Sequence, residues 1–182
     1  MLISKPYKTA KLSDISQPFG VNPQPYQPQG HTGVDFCAPY GTFLVAPDNC
    51  KVERIITDTN FNADLSPLSR GYGILLKSIT QPYTYLHWHC LPAFPVKEGD
   101  TVLRGQPVAQ MGNSGFVMSN GVIVPVERRT QPPYPGTHDH FEMRINSQFV
   151  DPIKYMDFSI PIKYDLMTTI SEILKKMIGL IK

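Results

Sequence analysis

Five histidines of this 182-residue chain fall in three short stretches: GHTGVDF carries His31, YLHWHC carries His87 and His89, and THDHFE carries His138 and His140. Asp35 follows His31 by four positions. Imidazole nitrogen and carboxylate oxygen are ligands that zinc accepts, and a catalytic zinc commonly takes three protein ligands while a fourth position is left for water. Imidazoles outside the ligand set can move protons near neutral pH. The chemistry on offer is therefore metal-assisted hydrolysis. Each pair alone has a plainer explanation, a satisfied core or surface histidine; it is the three clusters together, in a strand-rich chain, that point to a metal site.

Extended chain would position these residues by parity, since side chains two apart share a face. In HDHFEMRI, His138, His140, Glu142 and Arg144 then look one way, and Phe141, Met143 and Ile145 look into a core. The same rule applied to YTYLHWHC predicts Tyr83, Tyr85, His87 and His89 on one wet face and Leu86 and Trp88 on the other. His31 and Asp35 would lie about 13 Å apart in a straight strand, too far for one ion. A bend at Gly33 is the expected remedy.

Runs such as TFLVA, KVERIIT, YGILLKSI, YTYLHWHC, VIVPVE and HFEMRI, separated mostly by glycine, proline, asparagine or aspartate, predict a mainly β protein. The expected architecture is an antiparallel sandwich or partial barrel. The one helical pattern is ISEILKKMIGLIK, where Ile170, Ile173, Leu174, Met177, Ile178 and Ile181 recur at three- and four-residue steps. This short C-terminal amphipathic helix is expected to pack on the body or on a sister subunit, or to meet a membrane surface or protein partner. Residues 1–13 and 154–182 read as arms around one domain spanning 14–153.

The net charge of +2 is carried by the lysine-rich end of the chain, and the balanced remainder argues against a nucleic-acid partner. Eighteen prolines, clustered in QPFGVNPQPYQPQG and TQPPYPGT, imply ordered irregular loops. Cys37, Cys50 and Cys90 contain no C-x-x-C pair and read as small buried hydrophobes. The first residues lack the apolar stretch of a secretory signal, so synthesis in a cytoplasm without a signal peptide is expected.

Several segments together resemble the M23 peptidases, the zinc endopeptidases of the lysostaphin and LytM type that cut peptide cross-links of bacterial cell walls. They are QPFG at 17–20, GHTGVDFCAPYGTFLVAP at 30–47, GYGILLKS at 71–78, YLH at 85–87, VKEGDTVLRGQPVAQMGNSG at 96–115, GTHDHFEMR at 136–144 and VDP at 150–152. The resemblance runs in order over roughly residues 14–153. It implies a LytM-like fold, a Zn2+ cofactor, peptidoglycan peptides as substrate, and His31, Asp35 and His140 as metal ligands. It also implies His138 and His87 as catalytic histidines, with His89 a competitor for the second role. An action at the bacterial cell wall follows, and the arms in place of a wall-binding module fit a phage lysin or tail-associated enzyme, delivered by a virion or by lysis. The alternative is a non-catalytic M23-fold structural or regulatory protein that binds a cell-wall or virion partner.

Three departures stand out. Asp139 occupies the place between the two histidines where the family usually has leucine. The distance from His87 to VKEGD is longer than usual. About twenty residues, 116–135, separate GNSG from GTHDH, predicting an inserted hairpin and proline-stiffened loop at the groove wall, with Arg128 and Arg129 as an exposed basic pair.

Overall fold

The computed structural model describes residues 2–57, 69–159 and 162. The amphipathic segment 170–181 lies outside the described residues. Among these residues no helix is long and apolar enough to cross a membrane.

In chain order the first strands are β1 (Ile15–Gln17), β2 (Val34–Phe36), β3 (Phe43–Val45), β4 (Cys50–Ile56), β5 (Tyr72–Ser78) and β6 (Tyr83–Cys90). They are followed by β7 (Thr101–Val102), β8 (Pro107–Gln110), β9 (Met118–Ser119), β10 (Val122–Ile123), a single helical turn α1 (Val126–Arg129), β11 (Asp139–Ile145) and β12 (Gln148–Val150). The strand-rich runs fold as strands except VIVPVE, which is strand only at Val122–Ile123 before it enters α1, and all pairings between these strands are antiparallel. One large sheet has the order β1-β2-β11-β6-β5-β4-β7, with β12 also paired to β11; β3-β8 and β9-β10 form two small sheets. The large sheet does not close into a barrel.

One face of the large sheet carries Val34, Phe36, Val52, Ile74, Leu76, Tyr85, Phe141 and Met143 into a core completed by Leu44, Val108, Ala109 and Met111 from the β3-β8 side. Full burial of a side chain such as Phe141, wholly inaccessible here, contributes about 1.5–3 kcal/mol. The N-terminal segment is built into this core rather than lying around it. Ile3, Tyr7 and Ala10 are buried, and Ile3 N–H donates to the Tyr155 carbonyl at 2.7 Å. Cys50 and Cys90 are buried and Cys37 is exposed; all three are free thiols.

Register sorts the faces. Phe141 lies opposite Val34 on β2 and opposite His87 on β6, and Met143 lies opposite Tyr85. Side chains opposite one another share a face, so Tyr83, Tyr85 and His87 belong to the core side with Phe141. His140 lies opposite Asp35 and opposite Trp88, on the other face. The wet-face expectation for Tyr83, Tyr85 and His87 is thus reversed. The shared face for His87 and His89 fails for a local reason. Between Ile74–His87 and Tyr72–Cys90 the ladder slips, and His89 has φ of 59°. This left-handed residue breaks the two-residue alternation, as a bulge does, and turns the His89 ring to the side of His140.

Candidate metal centre

His31, Asp35 and His140 converge at one point on the face opposite the core. His31 Nε2 lies 2.8 Å from His140 Nδ1 and 3.1 Å from Asp35 Oδ1, and His140 Nδ1 lies 2.8 Å from the same oxygen. Tetrahedral ligands at zinc bond lengths sit roughly 3.3 Å from one another, so the donor atoms, 2.8–3.1 Å apart, are within about half an ångström of that spacing. Two imidazoles and a carboxylate also have the right chemistry.

Each ligand is held by a different part of the chain. His31 is anchored by the QPFG stretch: its Nδ1–H donates to the Pro18 carbonyl at 3.0 Å, and Gly20 N–H donates to the His31 carbonyl at 2.8 Å. A carbonyl only accepts, so Nδ1 carries the proton and Nε2 presents its lone pair to the cluster. Asp35 and His140 sit opposite one another on paired strands. The bend over Thr32 and Gly33 then folds His31 back onto them. Gly33 is needed because the chain passes so close to β11: a Cβ there would lie 2.5 Å from the Phe141 carbonyl oxygen and 3.1 Å from His140 Cε1. Gly33→Ala is expected to displace the His31 arm and lower metal affinity, measured by zinc competition with a chromophoric chelator; native affinity would show that the bend tolerates a side chain.

Two further imidazoles border the cluster. His138 Nε2 lies 3.8 Å from Asp35 Oδ2, and its Nδ1–H donates to the Gly136 carbonyl at 2.8 Å. The His89 ring stands 4.5 Å from that of His138 and 6.1 Å from that of His140, and its Nδ1–H donates to the Ser114 carbonyl at 2.7 Å. Burial, with the His138 and His140 imidazoles nearby, pushes His89 well below the usual histidine range. The GNSG stretch supplies this support, since Gly112 also bridges to His138 and Ser114 Oγ donates to the Cys90 carbonyl.

The structure does not bring His87 to this cluster. Its ring is fully buried on the core face, with Nδ1 2.9 Å from Asp139 Oδ2 and Nε2 3.3 Å from the Val45 carbonyl. Asp139 faces away from the metal cluster, as parity predicts, and is wholly buried.

Sequence reading missed Arg70 altogether. Its guanidinium lies 2.8 Å from Glu142 Oε1 and reaches Thr32 Oγ1 at 3.3 Å, beside His140. No motif surrounds Arg70, so only three-dimensional proximity exposes it.

The cluster opens into a groove of about 750 Å³. One wall is the inserted hairpin β9-β10, and the other includes Asn22, Gln24, Tyr26 and Gln27. The insertion forms the expected hairpin and loop, held to the body by Tyr40 stacked on Tyr134 at 4.2 Å between ring centroids. Asn113 Nδ2 also donates to the Arg129 and Pro135 carbonyls. Arg128 is exposed, but Arg129 is fully buried, its Nε and Nη2 donating to the Val124 carbonyl. Arg129 thus holds the inserted loop together from inside.

Residues 29–152 match the profile of peptidase family M23. The chain is 27% identical over 151 residues to an uncharacterized metalloprotease of Haemophilus influenzae, and 33% identical over 144 residues to the DD-carboxypeptidase/endopeptidase Mpg of Neisseria meningitidis. These alignments cover 81% and 76% of the chain but only 26% of each relative, so the chain spans about a quarter of their length. Among solved structures it resembles a zinc-containing peptidase from Vibrio cholerae, with a TM-score of 0.60 and 20% identity over 88% of this chain and 41% of that one. It also resembles the catalytic domain of the antimicrobial peptidase lysostaphin from Staphylococcus simulans, with a TM-score of 0.54 and 23% identity over 78% of this chain and 90% of that domain. These likenesses show a shared fold. With two thirds of its length matched to the profile, the chain belongs to peptidase family M23, a family of metallopeptidases.

Proposed function

We propose that the chain is a zinc endopeptidase that hydrolyses peptide cross-links of bacterial peptidoglycan. The observation that carries this reading is the convergence of His31 Nε2, Asp35 Oδ1 and His140 Nδ1 within 3.1 Å of one another at the floor of an open groove. The cell-wall substrate is supported by the family resemblance and by the meningococcal relative, named a DD-carboxypeptidase/endopeptidase.

Zinc, when bound, supplies a Lewis acid that polarises the scissile carbonyl and brings the pKa of water toward ~7. The remaining steps belong to side chains. His138 and His89 each commit Nδ1–H to a backbone carbonyl, which leaves both Nε2 atoms as acceptors when the rings are neutral. His138, beside Asp35, takes the proton as water oxygen bonds to the carbonyl carbon. His89 stands in ring contact to share that proton. As the carbon–nitrogen bond breaks, this one proton passes to the leaving amine and the His138–His89 pair returns to neutrality. His89 thus takes the place that the resemblance gave to His87. Residues 22–27 and the inserted hairpin would hold the peptide along the groove.

Alanine at His31, Asp35 or His140 is expected to strip zinc from the purified protein and to abolish digestion of cell walls. Elemental analysis beside mass spectrometry of walls from several bacterial types reads both effects and identifies the bond cut. Stoichiometric zinc in any of the three variants would refute the ligand set, and a zinc-loaded protein that releases no peptide from any wall would refute the substrate.

A further inference from the structure

Glu142 has no task in the hydrolysis just described, yet four side chains lie within hydrogen-bond distance of its carboxylate. It stands two residues beyond His140 on the same face of β11, and its side chain is 1% exposed. Thr32 Oγ1 donates to Oε1 at 2.7 Å and Arg70 Nη1 at 2.8 Å, Arg144 Nη2 donates to Oε2 at 3.0 Å, and His140 Nε2 lies 3.2 Å from Oε1. The Arg70 and Arg144 guanidiniums, one on each oxygen, hold it as a carboxylate behind a candidate ligand.

The His140 ring has two nitrogens, and its neutral form has one proton. With Nδ1 turned to Asp35 and His31, that proton belongs on Nε2 if Nδ1 is to offer a lone pair. The acceptors facing Nε2 are Glu142 Oε1 and, at 3.4 Å, Thr32 Oγ1. Arg70 Nη1 is also only 2.8 Å from Nε2. A guanidinium has no acceptor, so Arg70 competes for Nε2 as a donor, and Glu142 Oε1, within hydrogen-bond reach of both nitrogens, is the carboxylate oxygen that can accept an Nε2–H beside it. Remove that oxygen, and Arg70 becomes a donor facing Nε2, which favours the wrong tautomer, with the proton on Nδ1. His31 solves the same problem with a fixed backbone carbonyl; His140 depends on a side chain.

We propose that Glu142 is a positioning residue for the metal site: its Oε1 holds His140 Nε2–H so that Nδ1 faces the ion, and Arg70 and Thr32 hold Glu142 in place. The inference rests on His140 being a ligand, as the proposed function has it. It adds a coupling between the site and Arg70, which meets His140 Nε2 directly and also through this carboxylate.

The test compares Glu142→Gln, Glu142→Leu, Arg144→Ala and His140→Ala. Each purified protein is stripped of metal, checked for cooperative thermal unfolding, and titrated with zinc against a chromophoric chelator; cobalt absorption then reports ligand geometry. Removing such an outer partner typically weakens metal binding about 10–100-fold. Glu142→Gln, which keeps the size and one acceptor oxygen, is expected near the lower end of that range, and Glu142→Leu near the upper end, with an altered cobalt spectrum. Arg144→Ala, which touches only the far oxygen, is expected to bind zinc like the parent protein. Folded Glu142 variants with native zinc affinity and a native cobalt spectrum overturn the proposal, as does an Arg144→Ala protein that loses as much affinity as they do. Should Glu142→Leu not fold, Glu142→Gln decides alone. His140→Ala separates the two readings: native zinc binding there sinks the ligand set itself, whereas lost binding there beside native binding in Glu142→Gln sinks only the positioning role.

Discussion

With His89 replaced by alanine, hydrolysis is expected to fall by about 10²–10⁴-fold with zinc retained, because the proposed proton-transfer group is lost and no candidate ligand is touched. His138→Ala behaves the same way. His87→Ala, by contrast, leaves turnover per folded molecule close to native and lowers stability instead. The reason is direction: His89, at φ of 59°, turns its ring to 4.5 Å from that of His138, whereas the His87 ring is fully buried on the opposite face of the sheet. Single-turnover digestion of purified walls, normalised to folded protein by unfolding calorimetry, and zinc content together separate the three variants. A fully folded, zinc-loaded and inactive His87→Ala protein, or an unimpaired His89→Ala protein, would give the role back to His87.

The same residues show what the sequence discloses and what it withholds. His138, Asp139 and His140 were legible because an H-x-H in regular alternation with Phe141 and Met143 fixes which side chains look outward. His31 and Asp35 needed one bend, and Gly33 marked it, although the glycine proves necessary for the close approach of β11 rather than for φ. HWH carries no such mark. A bulge at a histidine leaves the spelling of an ordinary alternating strand, so parity sent both His87 and His89 to one face. The N-terminal segment read as an arm, but Ile3, Tyr7 and Ala10 dip into the core while Lys8 between them stays out. Arg129 resembled a surface cation and is an internal tie for the insertion. Strands were readable from periodicity; sheet order, register and the bulge depend on non-local pairing that periodicity does not encode.

Asp139→Ala is expected to destabilise the protein by about 3–5 kcal/mol, since it leaves the His87 imidazole buried and without its carboxylate. His87→Ala should cost a comparable amount, because Asp139 is wholly buried and its Oδ1 already has no hydrogen-bond partner among the described residues. The double variant with leucine at both positions should recover most of the loss, as apolar replacement of a buried pair is often neutral or better. Urea unfolding of the four metal-free proteins sets the two single losses against the double replacement; if Asp139→Ala alone is as stable as the parent, the pair contributes nothing. The bulge explains why such a pair exists. In regular pairing the residue opposite Asp139 would be His89, but His89 is turned out to the groove, and the carboxylate left on the core side is met diagonally by His87. The left-handed backbone that turns His89 toward His138 therefore also leaves a buried carboxylate that needs a partner. Leucine, the usual family residue at this position, would need none. A one-residue slip of β11 against β6 would part His87 from Asp139, which makes the pair a lock on the register that sets His138 and His140 beside Asp35.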